Sequence, residues 1–183
     1  NGKNLGTMLN GGVDVLGLLG ADGFDTSQIG AGTFVIYQGQ HGDAGARRAD
    51  VILPGAAYTE KPGTYVNTEG RVQRGDRAVF PPGDAREDWA ILRALSDVLG
   101  HKLPFDSLDA LRAAMAAEVP ALGVEGLANY GWAAPKVAAK VSGPVGYPIK
   151  DFYLTNPIAR ASETMQRCSA ELVHGQPVAE AAE

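Results

Sequence analysis

The chain has 183 residues, 45% of them hydrophobic and 20% charged, with 24 glycines and 11 prolines, which fits one globular domain rich in turns plus an appended segment. A formal net charge of −5 leaves no basic footprint for nucleic acid, and the single cysteine, Cys168, excludes an internal disulfide framework and the usual four-thiolate iron–sulfur site within this chain. No apolar run approaches the ~20 residues of a membrane span, and the polar start at Asn1, without an initiator Met, reads as neither a signal peptide nor a natural beginning, so the sequence is expected to be a piece of something longer.

Residues 1–12 are polar and glycine-rich and predict no clear element. Three short apolar runs follow: Val13 to Leu19, Thr33 to Tyr37 and Asp50 to Pro54. Each is bounded by turn residues, as strands buried on both faces would be, and the connections leave room for a helical turn over Asp43 to Ala49. This is the pattern of a parallel α/β sheet. Gly63 to Asn67 and Arg71 to Arg74 predict a hairpin turning at Thr68-Glu69-Gly70. Asp84 to Leu99 predicts a helix capped by Asp84 and Glu87, with Trp89, Leu92, Leu95 and Leu99 on its apolar face and Gly100 as its stop. A second helix is predicted from Ser107 to Val119, with Leu108, Leu111, Met115 and Val119 on one face and Pro120 at its end. Periodicity then vanishes over 120–150, where Pro135, Pro144 and Pro148 suggest a linker or a strap. A last helix is predicted from Pro157 to about His174, capped by Asn156, with a stripe of Ile158, Ala161, Met165, Cys168 and Leu172. The acidic tail from Gly175 is expected to be disordered.

Few residues offer chemistry. Gly17, Gly20 and Gly23 follow the first strand and resemble an anion cradle, but their spacing is G-x-x-G-x-x-G and a plain strand-to-loop turn explains them. His41 and Asp43 invite a metal or general-base reading, yet no further ligands cluster nearby in sequence. His101 and His174 sit at predicted helix ends, where the helix dipole accounts for them. Cys168 lies on an apolar stripe and reads as a small hydrophobe, with no His or Asp to activate it. Glu60, Lys61, Glu69, Arg71 and Arg74 surround the hairpin; Glu69 and Arg71 are candidates for a network that fixes its turn. No catalytic, cofactor-binding or metal-binding residue is assigned.

The stretch from Phe34 to Arg71, with Ala49-Asp50-Val51-Ile52-Leu53-Pro54 and Gly63-Thr64-Tyr65-Val66-Asn67-Thr68-Glu69-Gly70-Arg71, resembles the large iron–sulfur subunit of proton-pumping NADH:quinone oxidoreductase, respiratory complex I. Pro81 to Trp89 and Asp151 to Ser162 resemble it too, with an alphaproteobacterial or mitochondrial flavour. The wider family is the molybdopterin oxidoreductases, such as formate dehydrogenase, in which loops after the sheet strands contact a pterin. The resemblance implies an α/β fold, a partial three-layer molybdopterin-oxidoreductase-like domain over 1–119. A Pro/Gly-rich strap at 120–150, a C-terminal docking segment and helix at 151–174 and a disordered tail at 175–183 complete the expected division. It implies a structural, redox-silent part of that large subunit, with no cofactor in this segment and the 4Fe-4S and 2Fe-2S clusters in an N-terminal part. The expected partners are other peripheral-arm subunits, with no nucleic acid and no direct membrane insertion. The expected location is peripheral, on the cytoplasmic side of the bacterial inner membrane or the matrix side of the mitochondrial one. Two alternatives stay open: a fragment of a molybdopterin-dependent, formate-dehydrogenase-like oxidoreductase that retains its cofactor, and glycine loops that hold a nucleotide or other small ligand without chemistry.

Overall fold

The structure, a computed structural model, describes residues 2–127, 142–144, 146–147 and 149–176. The greater part of the expected strap and the tail from 177 lie outside the described residues. What is described divides into two compact units: residues 2–37, 41–52 and 142–176 in one, residues 38–40 and 53–127 in the other.

In the first unit the chain begins with a short helix, α1 (Leu5–Thr7), where no element was expected; Asn4 caps it by accepting from the Thr7 N–H. The three apolar runs form β1 (Val15–Leu19), β2 (Phe34–Gly39) and β3 (Val51–Pro54), in the sheet order β1-β2-β3. Phe34 N–H donates to Asp14 O and Asp50 N–H to Val35 O, so the beginnings of neighbouring strands lie side by side and the strands run parallel. The expectation of burial on both faces is corrected. Leu16, Leu18, Val35 and Tyr37 point into the core with Leu9 and Ile29, whereas Val15, Leu19, Phe34 and Ile52 are exposed. The covering segments, with Met8, Phe24, Ala46 and Ala49 packed at the edge, lie on that one core. The expected helical turn is α2 (Ala44–Arg48), with Asp43 at its N-cap.

The second unit carries the hairpin. Strands β4 (Gly63–Val66) and β5 (Arg71–Gly75) pair antiparallel with Gly63 opposite Gly75. The turn is held by Asn67, whose side-chain oxygen accepts from the Glu69 and Arg71 backbone N–H groups, while Gly70 takes φ 83°. Helix α3 (Asp88–Val98) starts four residues later than its expected cap at Asp84. It buries Arg93 and Ser96 and leaves Leu99 and Val98 in solvent. Arg93 spans from Asp97 to Asp106 and Phe105 O, and Ser96 accepts from the Leu103 N–H, so polar side chains rather than a leucine stripe fix the turn after the helix. Helix α4 (Leu108–Glu118), capped by Ser107, turns Leu108, Leu111 and Met115 inward as expected, but Val119 lies beyond its end and is exposed. Within the expected strap, Pro120–Gly123 forms a tight turn and Gly126–Leu127 adds β6 to the edge of β5.

The single helix expected from Pro157 to His174 is corrected. Ser162 is extended at φ −83°, ψ 118°, which divides α5 (Pro157–Ala161) from α6 (Glu163–Cys168) and caps the latter. The break rotates the inward face, so Ile158 and Leu172 are exposed while Arg160 is half-buried and Ser169 buried.

Candidate functional site

In an open parallel sheet the crevice beyond the carboxyl ends of the strands is where ligands bind. Here the loop after β1 carries Asp22 and the segment before α2 carries Asp43, both beside Tyr37 of β2. The Asp22 side chain has 0% exposure. Such burial of a carboxylate needs a partner, and the partner comes from far along the chain. Arg160 of α5 donates Nη2 to Asp22 and Nε to Asp43, one guanidinium across both carboxylates.

The local sequence makes this possible. Gly45, in the first turn of α2, gives its N–H to Asp22 Oδ2 at 3.2 Å. A Cβ at Gly45 would stand 2.7 Å from the Tyr37 ring and 3.0 Å from Asp22 Cβ, so only glycine lets helix, ring and carboxylate meet. Asp43 Oδ1 is occupied by the Ala44 N–H at the cap, leaving Oδ2 for Arg160. Tyr37 donates its hydroxyl to His41 O at 3.0 Å.

The charges reinforce one another. The Arg160 hydrogen bond, with the Ala44 N–H, holds the Asp43 carboxyl below the usual aspartate range against the effect of burial. Burial works against the charge on Arg160, but the two carboxylates outweigh it and raise the guanidinium further. Burial, then the charges of Asp22 and Asp43, push the Tyr37 phenol up, with Arg160 opposing them. What results is a closed, charge-paired cluster of Asp22, Asp43 and Arg160 beside Tyr37.

The residues singled out from sequence scatter. Gly20 turns at φ 59°, but the loop's inward group is the Asp22 side chain. Asp43 belongs to the cluster; His41 contributes its backbone oxygen, and its Nδ1 is buried without a hydrogen-bond partner among the described residues. His174 lies 3.7 Å from Asp151 Oδ2, and that carboxylate also accepts from Ser169 Oγ. His101 is exposed after Gly100 and Cys168 is half-buried on α6. Lys61 pairs with Asp88, Arg74 with Glu125 at 3.1 Å, and Glu60 accepts from the Ala57 N–H. Among the described residues no three His, Cys, Asp or Glu side chains gather as metal ligands, and no helix is long and apolar enough to cross a membrane. Asp22 and Arg160 were missed. A lone aspartate between Ala21 and Gly23, in a loop closing an apolar strand, was the only available signal.

Residues 2–98 match the family model of the molybdopterin oxidoreductases, and residues 126–168 match that of the C-terminal region of the G-type subunit of NADH-ubiquinone oxidoreductase. The chain is similar to the mitochondrial NADH-ubiquinone oxidoreductase 78 kDa subunit of Neurospora crassa, 46% identical over 170 residues, covering 87% of this chain and 23% of that protein. It is likewise similar to the NADH-ubiquinone oxidoreductase 75 kDa subunit of Reclinomonas americana, 48% identical over 147 residues, 75% of this chain and 20% of that one. It thus spans less than a quarter of the length of these curated relatives. Among solved structures, the acetylene hydratase of Pelobacter acetylenicus overlaps 50% of this chain and 13% of its own at a TM-score of 0.39 and 24% identity, too loosely to bear on this one.

Proposed function

The chain belongs to the molybdopterin oxidoreductase family, and on that premise we propose that it is the structural, redox-silent C-terminal portion of the large iron–sulfur subunit of a proton-pumping NADH:quinone oxidoreductase. Identities of 46% and 48% with the 78 and 75 kDa subunits support the assignment to that large subunit, as does the match of residues 126–168 to its family's C-terminal region. Electron transfer from NADH to quinone then belongs to the whole complex, with the 4Fe-4S and 2Fe-2S clusters elsewhere in the large subunit. Its partners are the other subunits of the peripheral arm. Its place is peripheral, on the cytoplasmic face of a bacterial inner membrane or the matrix face of a mitochondrial one.

The family name implies a molybdenum–pterin group, and the residues at the strand ends do not fit one. The observation that carries the reading is Arg160. It spans Asp22 and Asp43 at the crevice, so this guanidinium is not free to hold an anionic phosphate or dithiolene. Its two partners are carboxylates, which repel that chemistry, and the approach of Gly45 to Tyr37 leaves no gap there even for a methyl group. No step is derived through the group. Instead, the residues matched to the C-terminal region of the NADH-ubiquinone oxidoreductase family include Arg160, which ties the C-terminal segment to the α/β unit as a latch.

The test is Arg160→Met in the full-length subunit within its complex. Assembled complex on native gels should fall, while NADH:quinone turnover per assembled complex stays constant. Normal assembly with reduced turnover would contradict the structural role.

A further inference from the structure

The second unit carries an apolar groove in which the Arg160 latch takes no part. It encloses ≈ 550 Å³ along α3, between that helix and the end of β3. Two rows of α3 side chains at i, i+4 spacing make its floor: Ala90, Ala94 and Val98 in one, Ile91 and Leu95 in the other. Leu53 and Pro54 form the facing wall. By helical period these rows lie on the side of α3 away from Arg93 and Ser96, which bind the 103–106 segment. One face of α3 is therefore docked by polar contacts. The other is apolar, ends at Val98 with 83% exposure, and has no cover among the described residues.

The lining disfavours a small polar ligand and an added strand alike. Its charged members, Asp84 and Arg86, have opposite signs, and Arg86 Nη1 is held by Gly83 O at 3.2 Å and Ala85 O at 2.9 Å. That leaves no converging polar groups to orient a small molecule. The backbone beside the groove is also occupied, since Arg86 N–H donates to Pro54 O and Ala56 N–H to Arg86 O. Shape remains, and rows at i, i+4 spacing receive the ridges of a second helix.

On the assignment to the large subunit made above, we infer that the groove seats an amphipathic helix of the same polypeptide, from the part of the subunit that precedes Asn1. Curated relatives at 46% and 48% identity contain this chain as 23% and 20% of their length, so more than three quarters of each lies outside it. Most of that length is upstream, because residues 126–168 match the C-terminal region of the subunit family. The groove residues, Leu53 to Val98, all fall within residues 2–98, which match the molybdopterin oxidoreductase model, so the open face belongs to that domain and not to the C-terminal attachment. A segment of the same chain also meets the groove at high effective concentration and without the translational cost of a separate partner.

The experiment is photo-crosslinking in the assembled complex, with p-benzoylphenylalanine in place of Val98 of the full-length subunit. The crosslinked peptide should come from the same subunit, upstream of Asn1. If the complex does not assemble with that group, Leu99, 64% exposed and one residue on, takes it instead. In parallel, Ala94→Cys should resist a maleimide in the native complex and react after denaturation, as read on its own peptide by mass spectrometry. A crosslink to a different subunit, to a second copy of the large subunit or to lipid would overturn the proposed occupant and leave the assignment to the large subunit standing. No crosslink within the subunit, or free labelling of Ala94→Cys in the native complex, would overturn it as well. Absence of this chain's peptides from the purified complex would instead remove the assignment itself.

Discussion

Arg160 joins two carboxylates that lie 138 and 117 residues away in sequence. Removing the guanidinium strands a fully buried Asp22, and breaking a buried ion pair from one side costs about 3–5 kcal/mol. Arg160→Met should therefore lower the urea-unfolding free energy of the chain by that order, and a loss below about 1 kcal/mol would place the pair in the class of surface ion pairs. Asp43 sets a pH dependence. Its folded carboxyl titrates below its unfolded one because of Arg160 and the Ala44 N–H. The stabilisation is therefore complete above the unfolded aspartate value, about 3.9, and is lost as pH falls through the lower folded one. Asparagine caps helices as well as aspartate does, so Asp43→Asn removes the charge and keeps the cap. Its stability deficit should be largest at neutral pH and shrink in acid; a deficit independent of pH would contradict the charge argument. The Asp43 half of this cluster stood out in the sequence only beside His41, as a metal or general-base reading, and as the start of a helical turn; its part as cap and ion-pair partner comes from the structure. The pairing itself was not legible, because no local pattern encodes a partner so far along the chain.

At the scale of elements, period and punctuation located the strands, the hairpin and the cores of α3 and α4 to within a few residues. They failed where tertiary polar contacts decide. The face of α3 is set by Arg93 and Ser96 binding the 103–106 segment, which a count of leucines cannot reveal. The C-terminal helix breaks because the extended Ser162 serves as the cap of α6. Asn156 Oδ1 accepts from the Ala159 N–H at the start of α5, one residue from Arg160. Asn156→Ala should cost about 1 kcal/mol, the usual value of an N-cap, and couple non-additively with Arg160→Met in a double-mutant cycle. Strict additivity would show that α5 does not present the latch. In the hairpin, Gly63→Ala should destabilise by about 1–3 kcal/mol, because its methyl group meets the Tyr65 ring at 2.8 Å. Gly63→Ala combined with Tyr65→Ala should recover part of that loss; no recovery would mean that the ring is not the obstacle.

At the scale of the molecule, the apolar runs and turn residues already indicated a parallel α/β sheet, and the motifs around Phe34 to Arg71 already pointed to the family. The sheet's exposed face was not legible, because an apolar run looks the same whether one or both of its faces are covered in the chain at hand. Under the proposed function a pterin-enzyme fold serves as structure, with its crevice closed by Arg160. The most direct measurement is iron, molybdenum and pterin content, made on the purified full-length subunit and on this 183-residue chain. Iron in the full-length subunit, neither metal in the chain and pterin in neither is the predicted result. Molybdenum with pterin in either sample would contradict it and return the loops at Gly20, His41 and Gly63 to a catalytic reading.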